Sequence, residues 1–278
     1  AIRIAASWAD SHAQRRKSIQ TLLKRFDQMP LLDILKSPVP SAHLKDREIR
    51  ASFEISWQDL ESDRLRRTFA CIGVFAGEDW DISAVAEVMR CTSDETEEML
   101  DRLVNKSLLE FGRTETRYSA HPLLREYARE KLELDFQDYF WRLAQHYQSL
   151  IINESSRLHS HDAIIATQRL QLELGNLQGV WRFCCECQEE CSAKLVGDLV
   201  VGLWEFLISR GYFEEARELF NCAERLAKKF NKTDLIAEIS YGRARLAVVQ
   251  QSAESAIDCL RDAAAMYEDI ADISRLCD

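Results

Sequence analysis

The run Ser119-Ala120-His121-Pro122-Leu123-Leu124-Arg125-Glu126-Tyr127-Ala128 decides how this chain reads, because the period changes at His121. Before it, Leu108, Leu109 and Phe111 precede Gly112-Arg113-Thr114-Glu115-Thr116, and Tyr118 follows, the pattern of a β-hairpin with a polar tip. After it, Leu123, Leu124, Tyr127 and Ala128 recur at helical spacing. His121 thus stands at a strand-to-helix junction where the first backbone N–H groups of a helix are unpaired and favour a phosphate.

Three helical patterns precede the hairpin. Phe53, Ile55 and Trp57 lead into Asp59-Leu60-Glu61-Ser62-Asp63, where a helix starts with Leu65, Phe69, Ile72, Val74 and Phe75 as its apolar stripe. Gly73 and Gly77 with Trp80 mark a turn, and Ile82 to Met89 reads as the second helix. Thr92 or Ser93 caps a third, in which Glu95 and Thr96 precede Met99, Leu100, Leu103 and Val104. Three helices plus a hairpin predict a winged helix over 46–132.

Beyond Leu132 the pattern is helical throughout. Tyr139, Phe140, Leu143, Ala144, Tyr147 and Leu150 form one stripe. Gly211-Tyr212-Phe213-Glu214-Glu215-Ala216 opens a repeat with Phe220 and Ala223, and Ala256, Leu260 and Ala263 restate its spacing. Small residues at fixed positions let stacked helical hairpins approach closely. The Ala216-to-Ala256 offset exceeds the usual tetratricopeptide period of about 34 residues, so 133–278 reads as a divergent tetratricopeptide-like array. Residues 1–45 hold two further helical patterns, Ile2 to Trp8 and Ile19 to Phe26, before Pro30, Pro38 and Pro40. The predicted fold class is mainly α: a short helical domain, a winged helix with one hairpin wing, then helical hairpin repeats.

Composition narrows the function. The net charge of −10 is uneven: +3 over 1–60, −4 over 61–132 and −9 over 133–278. An acidic surface repels nucleic-acid phosphates. The third helix, the reader in a DNA-binding winged helix, carries Asp94, Glu95, Glu97, Glu98 and Asp101 in its early turns. It therefore reads as a protein-contacting module, with no direct DNA binding. No apolar run approaches the ~20 residues that cross a bilayer. The nine cysteines are odd in number and several stand isolated in helical patterns, which reads as a reduced, cytoplasmic protein. Cys184, Cys187 and Cys191 read as sharing a helix face with Trp181, as core rather than metal site, with Cys185 turned away. His159 and His161 read as part of a polar connector. No Gly-x-x-x-x-Gly-Lys-Ser/Thr loop occurs, so the chain itself reads as no enzyme and holds no cofactor. Opening on Ala1-Ile2-Arg3 and closing inside a helical pattern, it reads as a piece of a longer protein.

Residues 51–132 resemble the winged helix of NB-ARC-type signal-transduction ATPases, the STAND proteins. Ala51-Ser52-Phe53-Glu54-Ile55-Ser56-Trp57 and Phe69-Ala70-Cys71-Ile72-Gly73-Val74-Phe75 are similar to the family's leading strand and first helix. Ala1 to Phe26 is similar to its small helical domain, and 133–278, with Glu173 and Asn176-Leu177, to the helical-repeat sensors of bacterial members. The family's Met-His-Asp triplet falls on Ala120-His121-Pro122, of which only the histidine matches. The resemblance implies that His121 contacts an ADP phosphate in the intact protein and helps hold a closed state; local chemistry alone reads it as a capping or packing histidine. It further implies ADP or ATP with Mg in the intact protein, a nucleotide-binding domain in cis, a protein or peptide trigger on the repeats, and ligand-induced homo-oligomers. Two other readings stay open: the ligand-sensing part of a transcription regulator whose DNA-binding domain lies elsewhere, and a plain tetratricopeptide-type scaffold.

Overall fold

The computed structural model describes residues 44–112, 114, 116–132 and 136–269. The helical domain expected over 1–45 lies almost wholly outside the described residues. The fold is mainly α, with one small sheet. Two compact units divide within a helix, after Phe140. Among the described residues no helix is long and apolar enough to cross a membrane.

In the first unit, α1 (Leu44–Gln58) is followed by α2 (Asp63–Cys71), a 3-10 turn (Ile72–Val74), β1 (Asp79–Asp81), α3 (Ile82–Met89) and α4 (Ser93–Asn105). The wing, β2 (Glu110–Phe111) and β3 (Arg117–Ser119), leads into α5 (Pro122–Leu132). The expected leading strand is a correction: 51–57 is helix, not strand. Phe53 and Ile55 are buried alongside Ser52 and Ser56, so burial does not alternate as it would on a sheet face. The α1 face reaches α5, where Phe53 and Tyr127 rings lie 5.8 Å apart.

Caps set the helix starts. The Ser62 hydroxyl accepts from the Leu65 N–H and opens α2. Thr92 and Glu95 form a reciprocal capping box on α4. The Trp80 turn contains a strand that the sequence reading missed, for β1 pairs antiparallel with β3 and the sheet order is β1-β3-β2. Trp80, opposite Tyr118, stacks on Phe75 at 5.0 Å in the core beneath the sheet. At Gly73 an added Cβ would lie 2.4 Å from the Arg129 backbone nitrogen, so only glycine lets the end of α2 meet α5 directly.

The second unit continues α6 (Phe136–Arg157) and adds α7 (Ala163–Cys187), α8 (Glu190–Ser209), α9 (Phe213–Lys229), α10 (Thr233–Val249) and α11 (Ala253–Asp269). Gly211, Asn231 and Gln251, twenty residues apart, all have positive φ (80°, 54° and 60°). After each, an N–H returns to a carbonyl five residues back: Tyr212 to Leu207, Lys232 to Ala227 and Ser252 to Ala247, at 2.8–2.9 Å. Three successive helices thus end in one Schellman-like closure. Two 17-residue helices and two three-residue connections account for the long repeat offset. Ala216, Ala223, Ala256 and Ala263 are all buried, but Leu260 is exposed, a departure from its match with buried Phe220. At Gly242 an added Cβ would stand 2.6 Å from Phe220 Cζ, a close crossing of α9 and α10.

Candidate functional site

His121 lies between β3 and α5 and is exposed. Pro122 is the first helical residue, where a missing N–H leaves nothing unsatisfied. The His121 carbonyl accepts from Leu124 and Arg125 N–H at 2.8 and 3.1 Å, and its Nδ1 accepts from the Leu123 N–H at 3.3 Å. The imidazole therefore caps the helix. A neutral ring accepting at Nδ1 carries its proton on Nε2, which leaves one donor for another group.

One turn along, Arg125 Nη1 donates to the carbonyls of Ala76 (3.2 Å) and Gly77. Burial pushes its pKa down, against the pull of Glu78. Arg125 thereby ties α5 to the turn before β1, and with Gly73 it fixes where the junction sits.

Of the five carboxylates read in the early turns of α4, four are exposed, whereas Asp101 is half-buried and accepts from Tyr118 OH at 2.8 Å. Asp94, Glu97 and Glu98 face solvent, while Glu95 pairs with Arg64 at 2.9 Å. The basic residues late in the helix are engaged by carboxylates: Arg102 meets Glu98 at 2.8 Å, and Lys106 meets Asp59 at 3.3 Å.

The repeats carry a groove of about 380 Å³ between α8, α10 and α11, lined by Lys194, Asp198, Val201, Asp234, Leu235 and Glu238 among others. It mixes both charge signs with an apolar strip. At the groove the buried Glu238 carboxylate of α10 accepts from Tyr267 OH of α11 at 3.1 Å; away from it, buried Glu173 of α7 accepts from Tyr147 OH of α6 at 2.7 Å and from Asn176 Nδ2 at 2.9 Å.

The cysteines depart from the expectation in two ways. Cys187 and Cys191 do not share a helix, because Gln188 takes a left-handed conformation (φ 51°, ψ 39°) and ends α7; Cys191 belongs to α8. Trp181 and Cys184 are core, as read. Cys185, turned off that core, forms a disulfide with Cys222 of α9, with Cα atoms 5.8 Å apart, which corrects the wholly reduced reading. No local signal reveals this pairing, since the partners stand 37 residues apart on helices brought together only by stacking. Among the described residues no three His, Cys, Asp or Glu side chains converge to hold a metal. His159 and His161 lie in the α6–α7 connection, as read, and turn to different carboxylates, Glu205 and Asp162.

No protein-family model matches the chain, and no solved structure does. The chain is similar to regulatory protein AfsR of Streptomyces coelicolor, 34% identical over 139 residues. It is likewise similar to regulatory protein AfsR of Streptomyces griseus, 32% identical over 138 residues. Each match covers about half of this chain and spans 13% of the relative's length.

Proposed function

We propose that this chain is the regulatory and sensing portion of an NB-ARC-type signalling ATPase. The observation that carries the reading is the placement of His121, exposed at the N-terminus of α5, with Nδ1 turned to the helix and one ring donor to spare. In the intact protein that donor contacts a phosphate of ADP bound with Mg by a nucleotide domain in cis. The winged helix thereby holds the closed state. The repeat groove takes a protein or peptide trigger, and opening leads to homo-oligomers. The chain alone is no enzyme, since a few donors at one helix end do not make a nucleotide site. The similarity to two regulatory proteins supports a regulatory role.

The test is nucleotide exchange in the intact protein. His121→Ala removes a contact made only in the closed state, worth about 1.5–3 kcal/mol for a hydrogen bond to a charged group. Exchange is expected to quicken roughly ten- to hundred-fold. Unchanged exchange leaves His121 a helix cap and removes the reading.

The same similarity favours a second reading equally: the ligand-sensing part of a transcription regulator that binds DNA through another domain. The exposed carboxylates of α4 support a DNA contact made by another domain. Sequence-specific DNA binding by the intact protein that persists when α4 is altered, and that does not respond to nucleotide, selects this reading over the first. A plain scaffold shows neither response.

A further inference from the structure

Five of the nine cysteines stand between Cys184 and Cys222, and their surroundings differ sharply. Cys185 is partly exposed on α7, and Arg225 Nη2 lies 3.3 Å from its sulfur. Arg225 has no carboxylate partner among the described residues. Cys222, from the same helix as Arg225, is buried and bonded to Cys185. Cys187 has Glu186 and Glu189 for neighbours, and Cys191 hydrogen-bonds the Glu189 carboxylate at 3.4 Å. A thiolate is the reactive form, and a cation favours it where carboxylates oppose it.

We propose that Cys185 is a peroxide-reactive thiol and Cys222 its resolving partner, so that the α7–α9 bond is a reversible oxidative clamp between consecutive helical hairpins. The Cys185 thiolate attacks the distal oxygen of a hydroperoxide and breaks its O–O bond, giving a sulfenic acid and, after protonation, water or an alcohol. The Cys222 thiol then attacks the Cys185 sulfur, forming the S–S bond and releasing water. The protein loses two electrons and two protons, which the peroxide takes up. A dithiol reductant reverses the change, returning two electrons and two protons as it becomes a disulfide.

The environments support this order. Burial, then the approach of Cys187 and Cys191, pushes the Cys184 thiol up to about 12, and burial with acidic neighbours raises Cys187 and Cys191. On the facing helix Arg225 Nη2 reaches the Cys185 sulfur, while Glu218 of that helix is paired with Arg182. Glu186 is its acidic chain neighbour, exposed to solvent. The clamp joins α7 to α9, while the groove lies between α8 and α10, the other helix of each hairpin. Closing the bond therefore holds the spacing of the hairpins that form the groove. This inference does not rest on the ATPase reading.

The experiment uses the full chain, reduced, desalted and treated with hydrogen peroxide and dimedone at pH 7, followed by peptide mass mapping. The native chain is expected to give a cross-linked peptide pair holding Cys185 and Cys222. Cys222→Ser is expected to collect dimedone on Cys185, and Cys185→Ser to leave Cys222 unlabelled. Arg225→Ala should slow bond formation about three- to fourfold for each pKa unit by which it raises the Cys185 thiol, since the more basic thiolate is also the better nucleophile, and Arg225→Lys should recover part of that rate. In denaturant the preference for Cys185 should vanish, a control that holds even if a variant folds poorly. Labelling of Cys91, Cys187 or Cys191 ahead of Cys185, or a native rate in Arg225→Ala, overturns the proposal.

Discussion

Arg117 on β3 and Asp79 on β1 form an ion pair at 2.8 Å, with side chains only 5% and 3% exposed. Arg117 Nε donates a second bond to the same carboxylate oxygen, at 3.0 Å, and Nη2 reaches the Asp79 carbonyl at 3.1 Å. The pair ties the wing to the strand that precedes α3. Removing one partner strands a buried charge, and Asp79→Ala is expected to cost about 3–5 kcal/mol. Replacing both by apolar residues of matching volume should cost far less. Urea midpoints for the two single variants and the double decide this, and equal losses in all three contradict it.

The Glu54 carboxylate on α1 accepts from Tyr127 OH at 2.6 Å and Lys131 Nζ at 2.9 Å, both on α5. Burial pushes its pKa up, but these partners outweigh burial and hold it below its ordinary 4.5. A depressed folded value stabilises the protein above the unfolded value, and that stability is lost as pH falls through the folded one. Tyr127→Phe should therefore be less stable than the native chain at pH 7, and the gap should narrow below about pH 4.5. A gap constant from pH 7 to pH 3 in chemical denaturation speaks against the account.

Ala216 and Ala223 are wholly buried on α9, whereas Glu214 on the same helix is exposed. Ala216→Leu or Ala223→Leu should overpack the helix contacts and cost about 1–3 kcal/mol. Glu214→Ala loses only a surface pairing with Arg217 and should cost under about 0.5 kcal/mol. Similar melting-temperature losses at both kinds of site count against the stacking account.

Gln251 occupies the left-handed position that Gly211 fills two helices earlier. A left-handed conformation costs an ordinary residue roughly 1–2 kcal/mol, part of which glycine gives back in unfolded-chain entropy. Gln251→Gly is expected to stabilise the repeats by up to about 1 kcal/mol. The reverse change, Gly211→Gln, should destabilise them, and thermal unfolding reads both signs.

The Cys185–Cys222 bond closes a loop of 37 residues. The chain-entropy account sets its stabilisation at up to about 4 kcal/mol. Dithiothreitol should lower the unfolding midpoint of the native chain and leave that of Cys185→Ser unmoved. A reductant effect of equal size in both places the loss at other cysteines.

The helices, the wing and the repeat alanines were legible because each rests on local chemistry: an apolar period, a capping box at Thr92, a strand-to-helix change at His121. The junction histidine was legible for the same reason. Its Nδ1 bond to Leu123, which makes the ring a cap, appeared only with the side chain in place. The family resemblance implied a strand at 51–57, but these residues are helix, and Phe53 packs against Tyr127 of α5. β1 went unread because three residues carry no period of their own; pairing with β3 defines them.

Sequence alone determined where this chain turns helical and which small residues allow close stacking, because backbone preference and side-chain volume act over one or two turns. Tertiary structure alone decided that Cys185 meets Cys222 and that Arg117 finds Asp79. Such contacts join residues dozens of positions apart, and no term in local sequence carries the loop-closure entropy or the burial that selects them.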